Sequence, residues 1–288
     1  MNKKQGYQGF RKFSIKTRLV IALLLISIIP LAGISGYSFH IFSVALREKL
    51  SASISQTLSM INLNMVSEIE KYQYLCGSIC ISEEIKDGLL NKDMSDIEKN
   101  QAINEIQSMI RTKIIYPAQA KNITVYDTDG NIFYDLGYDG FYQNDVDMLL
   151  DRLRQENQDV WAYVHTYRDR DILVLGRRIY EQYSESRVIG YTLLSIDEKI
   201  FSKTVLEPVG LADSSNIMYM NMDGTVLSSW DRNIALGEKV DSEFLKNIQQ
   251  KLPSRTDSFS IHKDGEEQLV TYIFNKNLNQ LFVYTMPY

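Results

Sequence analysis

The chain is short of the residues that most often declare a chemistry. Its three histidines, His40, His165 and His262, are scattered and show no metal-ligand spacing. It has two cysteines, Cys76 and Cys80, four apart in a helical pattern. That spacing gives poor disulfide geometry, and one pair is no disulfide framework. Two small buried apolar residues are the expectation. Gly-x-Ser-x-Gly, His-Glu-x-x-His, phosphate-loop and dinucleotide-binding patterns are all missing. Asp127-Thr128-Asp129-Gly130 opens like a calcium loop but lacks the later carboxylates of an EF-hand, so it reads as a turn. Asn122-Ile123-Thr124 matches a glycosylation sequon, a match that chance explains. No catalytic, metal or cofactor site is therefore expected, and the chain reads as a non-enzyme.

Acidic residues are also missing over a long stretch. The first is Glu48, and from Leu19 to Leu46 there is no charge of either sign. The core of this stretch, Leu19–Phe42, is long enough to cross a bilayer, which takes ~20 apolar residues. Pro30, Gly33 and Gly36 interrupt it, as membrane helices tolerate. A cleaved signal peptide would have an apolar region of only ~7–15 residues before a small-x-small site. Here the run continues through Tyr37, Phe39, Ile41 and Phe42, so an uncleaved anchor is expected. No cysteine near its end offers a lipid anchor. Six cations precede it: Lys3, Lys4, Arg11, Lys12, Lys16 and Arg18. They place residues 1–18 in the cytoplasm and everything after about residue 42 outside the cell membrane. Without those six cations the formal charge of −5 becomes −11 for residues 19–288. That argues against nucleic acid as a partner and against a general grip on anionic lipid. The overall balance, 44% hydrophobic and 23% charged, is that of a globular protein.

What is present is a hairpin written twice. Residues 123–134 and 217–228 each read as a strand, an Asp-Gly turn and a second strand, with Asp129-Gly130 and Asp223-Gly224 in one frame 94 positions apart. Two copies of one small module are expected. The first follows with a helix at Asp145–Asn157 and strands at Val160–Tyr167, Ile172–Tyr180 and Val188–Asp197. Turns fall at Arg168–Asp171 and Tyr183–Arg187. The second repeats this order with a helix at Ser242–Leu252 and strands near Asp257–His262, Gln268–Phe274 and Gln280–Thr285. Asp264-Gly265 and Asn275–Asn279 are its turns, and Glu207–Ser214 is the linker. The order β-β-α-β-β-β predicts an α+β fold, each module an antiparallel five-stranded sheet with helices on one face. Before the modules, Leu46, Leu50, Ile54, Leu58, Ile61, Met65, Ile69, Tyr72, Cys76 and Ile79 form an apolar stripe at helical period. It predicts one unbroken helix of ~50 Å. That helix is either a scaffold along the modules or a lever and homodimer seam. Residues 81–115 read as further helix, capped by Ser95 or Asp96, with Ile97, Ile103, Ile106, Ile110 and Ile114 as its apolar face and Pro117 ending it.

A span, a long outward helix and two PAS-like modules in tandem resemble the double Cache domain, an extracytoplasmic sensor of bacterial histidine kinases and chemoreceptors. The run Ser14-Ile15-Lys16-Thr17-Arg18-Leu19 leading to Ile28-Ile29-Pro30 looks like Cache-bearing kinases of Gram-positive type. So does Gly190-Tyr191-Thr192-Leu193-Leu194-Ser195-Ile196-Asp197-Glu198. The resemblance implies a tail at 1–18, a transmembrane helix at 19–42, helical segments at 43–115, a membrane-distal module at 116–206 and a membrane-proximal one at 207–288. It implies the ligand-sensing region of a receptor, a two-component sensor histidine kinase first. A chemoreceptor or an anchored binding protein is the alternative. The kinase domain would lie beyond Tyr288, where the sequence reads as truncated before a second span. A small-molecule ligand would sit in the distal module, its signal relayed through the long helix of a homodimer.

Amino-acid-binding members carry an Arg-x-Trp-Tyr run and a later Asp. Trp161 matches the Trp, Asp159 stands at the Arg position, Ala162 follows the Trp, and Ser195 falls at the Asp. Both charged anchors of a zwitterion are thus replaced. On the strand Val160–Tyr167, a period of two puts Trp161, Tyr163, His165 and Tyr167 on one face. These rings suit a sugar-like or mixed ligand, or else cover a core or an interface. Arg177 and Arg178 point to opposite faces, one a candidate anchor for a carboxylate or phosphate and otherwise a solvated edge charge. The candidate ligand-binding residues are therefore Trp161, Tyr163, His165, Arg177, Arg178 and Ser195.

Overall fold

The computed structural model describes residues 15–91, 94–113, 120–137, 140–168, 170–181, 187–206, 215–231, 233–252, 256–263, 265–276 and 278–287. The cations Lys3, Lys4, Arg11 and Lys12, the helix-end residues Ile114 and Pro117, and Asp169 and Tyr183 in turns lie outside the described residues. So do the linker 207–214, Asp264 and the expected division points at 116 and 207.

The chain divides into two compact units, Met1–Ser53 and Ile54–Tyr288. The first holds the N-terminal part of helix α1 (Ile15–Cys80), which Pro30 enters without ending. Its stretch Leu23–Leu46, 24 residues with none of it buried, is long and apolar enough to cross a membrane. The expected span Leu19–Phe42 overlaps it within the same charge-free stretch.

In the second unit, α1 buries Ile54, Leu58, Ile61, Met65, Ile69, Tyr72, Cys76 and Ile79, the predicted stripe at spacings of three and four. Cys76 and Cys80 are buried free thiols, as expected of small apolar residues. Burial pushes the Cys80 thiol well up, and its neighbour Cys76 adds to the rise.

The helix expected over 81–115 is two helices, α2 (Glu83–Leu90) and α3 (Asp96–Lys113). Each has its own serine cap. Ser82 Oγ accepts the Ile85 N–H at 3.3 Å. Ser95 and Glu98 form a reciprocal capping box, the Ser95 N–H donating to Glu98 Oε2 at 2.9 Å and the Glu98 N–H to Ser95 Oγ at 3.4 Å. On α3, Ile106 and Ile110 are buried, whereas Ile97 is exposed.

The remaining elements are β1 (Ala120–Asp127), β2 (Ile132–Leu136), α4 (Gln143–Gln155), β3 (Val160–His165), β4 (Asp171–Tyr180), β5 (Val188–Asp197) and α5 (Glu198–Leu206). They are followed by β6 (Asn216–Asn221), β7 (Val226–Ser229), α6 (Ser242–Gln249), β8 (Thr256–Lys263), β9 (Glu266–Asn275) and β10 (Gln280–Pro287). They form two antiparallel sheets of one strand order, β2-β1-β5-β4-β3 and β7-β6-β10-β9-β8. The repeated hairpins are the β1–β2 and β6–β7 pairs. Their turns need positive φ, which Gly130 adopts at 90° and Gly224 at 85°. An aspartate secures each turn: Asp127 Oδ1 accepts the N–H groups of Asp129 and Asn131, and Asp223 Oδ1 accepts that of Thr225.

Helices cover both faces of each sheet, not one. Leu173, Leu175, Leu194 and Ile196 of the first sheet, which is the distal module of the resemblance, share a core with the α1 stripe, and so do Tyr219, Leu269 and Phe282 of the second, its proximal module. On the opposite faces, Leu149, Leu150 and Leu153 of α4 pack on Ala162, Val174 and Leu193, while Ile248 of α6 packs with Met220 and Val283. The central strands are apolar on both sides for this reason, β5 being buried from Ile189 to Ile196.

Candidate ligand clefts of the distal module

The structure separates the six candidate residues. Trp161 lies on β3 opposite Leu175, 4% exposed, on the α1 side of the sheet. Tyr163 follows on the same face. Its hydroxyl donates to Asp171 Oδ1 at 2.6 Å, and its ring lies against Gly237 of the proximal module, where an added Cβ would come within 2.5 Å. Burial and the Asp171 hydrogen bond raise the Tyr163 pKa. His165 is largely exposed, its Nδ1 3.2 Å from Asp171 Oδ1. Tyr167 does not continue the aromatic face, because β3 ends at His165. There the Thr166 N–H donates to the Arg170 carbonyl and turns the chain. The Tyr167 ring instead meets Tyr142 edge-on at 6.2 Å.

Arg177 and Arg178 diverge from β4 as the strand period requires. Arg177 clamps Asp159 with both arms of its guanidinium: Nε donates to Oδ1 at 2.7 Å and Nη2 donates to Oδ2. Its Nη1 donates to the Gln73 carbonyl of α1 at 3.1 Å, and Gln73 Nε2 donates to Asp159 at 3.4 Å. Burial opposes the guanidinium charge, but the hydrogen bonds to Asp159 prevail and the pKa rises. Arg178 donates from Nε to the Leu153 carbonyl and from Nη1 to Asn157 Oδ1 at 2.7 Å. Asp159 thus occupies the position where the resemblance expects an arginine and pairs with an arginine supplied from the next strand.

Two clefts result. The first, about 350 Å³, is lined by Gly77, Cys80 and Ile81 at the end of α1, and by Lys86, Asn157, Gln158, Asp159, Arg177, Arg178 and Tyr180. Three of its side chains are cationic and one is anionic. The second, about 540 Å³, lies between β3 and α4 of the distal module and the β6–β7 and β9–β10 turns of the proximal one. It holds Trp161 and Tyr163 with Arg152, Glu156, Asn221, Asp223, Asn279 and Gln280.

Ser195 joins neither. It is fully buried on the α4 face, opposite Val174 and Asn122, and its hydroxyl has no hydrogen-bond partner. Beside it, Asn122 Nδ2 donates to Thr124 Oγ1 at 3.2 Å and Thr124 donates to Asp135 at 2.9 Å. Tyr126 on the same face is raised to about 12 by burial and by the Asp135 charge. Sequence reasoning missed Gln73, Arg152, Asn221 and Gln280 as lining or clamping residues, because their roles depend on contacts between distant elements. Among the described residues, no three metal-ligating side chains come together.

No family model and no characterised protein sequence matches the chain. Solved structures do. The sensor domain of the V. cholerae histidine kinase DctB is similar at 11% identity, over 84% of this chain and 98% of that one, with a TM-score of 0.56. The ligand-binding domain of the Pseudomonas aeruginosa PAO1 amino acid chemoreceptor PctB, in complex with L-Gln, is similar at 9% identity, over 80% and 87%, with a TM-score of 0.57. That of the Campylobacter jejuni chemoreceptor Tlp3, in complex with L-valine, is similar at 12% identity, over 85% and 94%, with a TM-score of 0.53. At these identities the shared property is the fold. With two sheets of one strand order against a common long helix, the chain has the double Cache fold of bacterial sensor domains.

Proposed function

We propose that the chain is the small-molecule-sensing region of a transmembrane receptor, a two-component sensor histidine kinase of the type its N-terminal sequence resembles. In this reading the N-terminus is cytoplasmic, the apolar helix spans the membrane, and residues after about 42 lie outside. The chain supplies sensing and no catalysis. Exposed Met60, Leu63 and Tyr74 on α1 support a homodimer along that helix.

The carrying observation is the first cleft. One wall belongs to α1, Lys86 comes from α2 and the rest from the distal module, and Arg177 already ties β4 to α1 through the Gln73 carbonyl. A ligand there contacts the sensing module and the signalling helix together. Binding that favours one placement of α1 shifts the receptor between states. The excess of cations selects a small anion, a carboxylate or a phosphate.

The test is a thermal-shift screen of the full chain in lipid nanodiscs against mono- and dicarboxylates, amino acids and phosphate. A hundredfold excess over Kd stabilises by about 2.7 kcal/mol. An anion hit weakened at least tenfold by Arg178→Gln supports the reading. No anion hit, or one indifferent to both Arg178→Gln and Arg177→Gln, sinks it. Phosphate transfer from ATP onto the intact receptor tests the output. A methyl-accepting region in its place would favour a chemoreceptor, a reading for which PctB and Tlp3 share the fold.

A further inference from the structure

The geometry points to a second ligand site in the cleft between the two modules, one that takes an uncharged polyhydroxy compound such as a monosaccharide or disaccharide. Its volume of about 540 Å³ lies within the range of small-molecule pockets. Three observations carry the assignment.

First, Trp161 lines this cleft at 4% exposure, and its indole N–H is buried without an acceptor. An indole nitrogen only donates, so it calls for an oxygen that the protein does not supply. Second, the contacts that link the polar groups around it to one another are long hydrogen bonds. Arg152 Nη1 and Asn221 Nδ2 both reach the Trp161 carbonyl, at 3.5 and 3.4 Å, and Gln280 Nε2 reaches Asn221 Oδ1 at 3.3 Å. All three exceed the usual 2.7–3.2 Å for an N–H donor to oxygen. Hydroxyl groups, which donate and accept at one atom, can replace such contacts with shorter ones. Third, the charges of the cleft are already matched. Arg152 Nε is 3.0 Å from Glu156, Asp159 is clamped by Arg177, and Asp223 is 3.0 Å from Lys239. A charged ligand would have to break one of these pairs, whereas a neutral one need not. The half-buried ring of Tyr163 offers flat apolar surface to the C–H face of a sugar.

Because the walls come from both modules, such a ligand would bridge them. This site meets the anion cleft at Gln158 and Asp159, and the experiment distinguishes the two. Isothermal titration of the full chain in nanodiscs uses D-glucose, D-galactose, maltose and cellobiose, with hydrogen exchange read on the complex. Binding is expected to weaken about five- to tenfold in Trp161→Phe, which keeps an aromatic ring and loses the N–H. It is expected to weaken similarly in Asn221→Ala and to be unchanged in Arg178→Gln. Bound sugar should slow exchange in both β3 and the β6–β7 turn. Absence of binding by all four sugars at millimolar concentration overturns the proposal. So does equal affinity in wild type, Trp161→Phe and Asn221→Ala, protection confined to one module, or loss of binding in Arg178→Gln alone.

Discussion

Removing Asp159 should show how much of the distal module's attachment to α1 depends on one charge. The Arg177 and Asp159 side chains are 27% and 21% exposed, between a surface pair and a buried one. Surface ion pairs contribute ~0–1 kcal/mol, and breaking a buried pair costs ~3–5 kcal/mol. Asp159→Ala leaves Arg177 with the Gln73 carbonyl and removes the acceptor of two guanidinium donors. A loss of about 2 kcal/mol is expected. For a unit of this size that lowers Tm by roughly 4–8 °C, measurable by circular dichroism on the full chain in nanodiscs. Much of that loss is the penalty of an unpaired cation, so Arg177→Met in the same chain should recover part of it. The double-mutant cycle should give a coupling of ~1–2 kcal/mol that survives 1 M NaCl, since salt screens exposed charges far more than sheltered ones. A cost below about 0.5 kcal/mol for Asp159→Ala, or a coupling abolished by salt, would refute the clamp.

Leu175→Ala, at a fully buried position on β4 facing α1, should cost ~2–5 kcal/mol in chemical denaturation. Gly224→Ala should cost more than Gly265→Ala in the same assay. Both glycines have φ of 85°, but a Cβ at Gly224 meets Leu245 at 3.0 Å and Val240 at 3.2 Å, while at Gly265 it meets nothing within 4 Å. Burial opposes the charge of Asp127, yet hydrogen bonds from Asn131, Asp129 and Gly130 hold its pKa below 3.8. A depressed folded-state pKa means stability that is complete above the unfolded value and lost as pH falls through the folded one. Asp127→Asn should therefore flatten the decline in stability below about pH 4 and leave its pH dependence near 7 unchanged.

Much of this fold is legible in the sequence where local chemistry decides it. The α1 stripe, the Asp-Gly hairpins and strands such as β5 follow from spacing and turn residues, and the structure places them where the pattern does. The break between α2 and α3 was legible too, since Ser82 and Ser95 are both cap residues. An unbroken reading hides it because isoleucines continue on either side. The end of the aromatic face depended on β3 stopping at His165, two residues before its expected end, which removed Tyr167. The second helical layer on each sheet needed knowledge of which face α1 takes. The Arg177–Asp159 pair was within reach: β3 and β4 pair Val160 with Gly176, and one step back along that register sets Asp159 against Arg177. Reading Asp159 only as a departure from a motif concealed it. The clefts were not legible, because Trp161 meets Asn221, and Arg177 meets Gln73, only after distant segments pack.

The shared strand order carries a consequence for how the chain must be assembled. In each sheet the strand made last stands at the centre, β5 between β1 and β4, and β10 between β6 and β9. During synthesis each sheet can exist only as two separate hairpins until its final strand emerges and joins them. Non-local closure of this kind is slow, and it leaves unpaired edges open to association with other chains in the meantime. Deleting Gln280–Pro287 would therefore part the proximal sheet down its middle, so these eight residues at the end of the sequence are among its least dispensable.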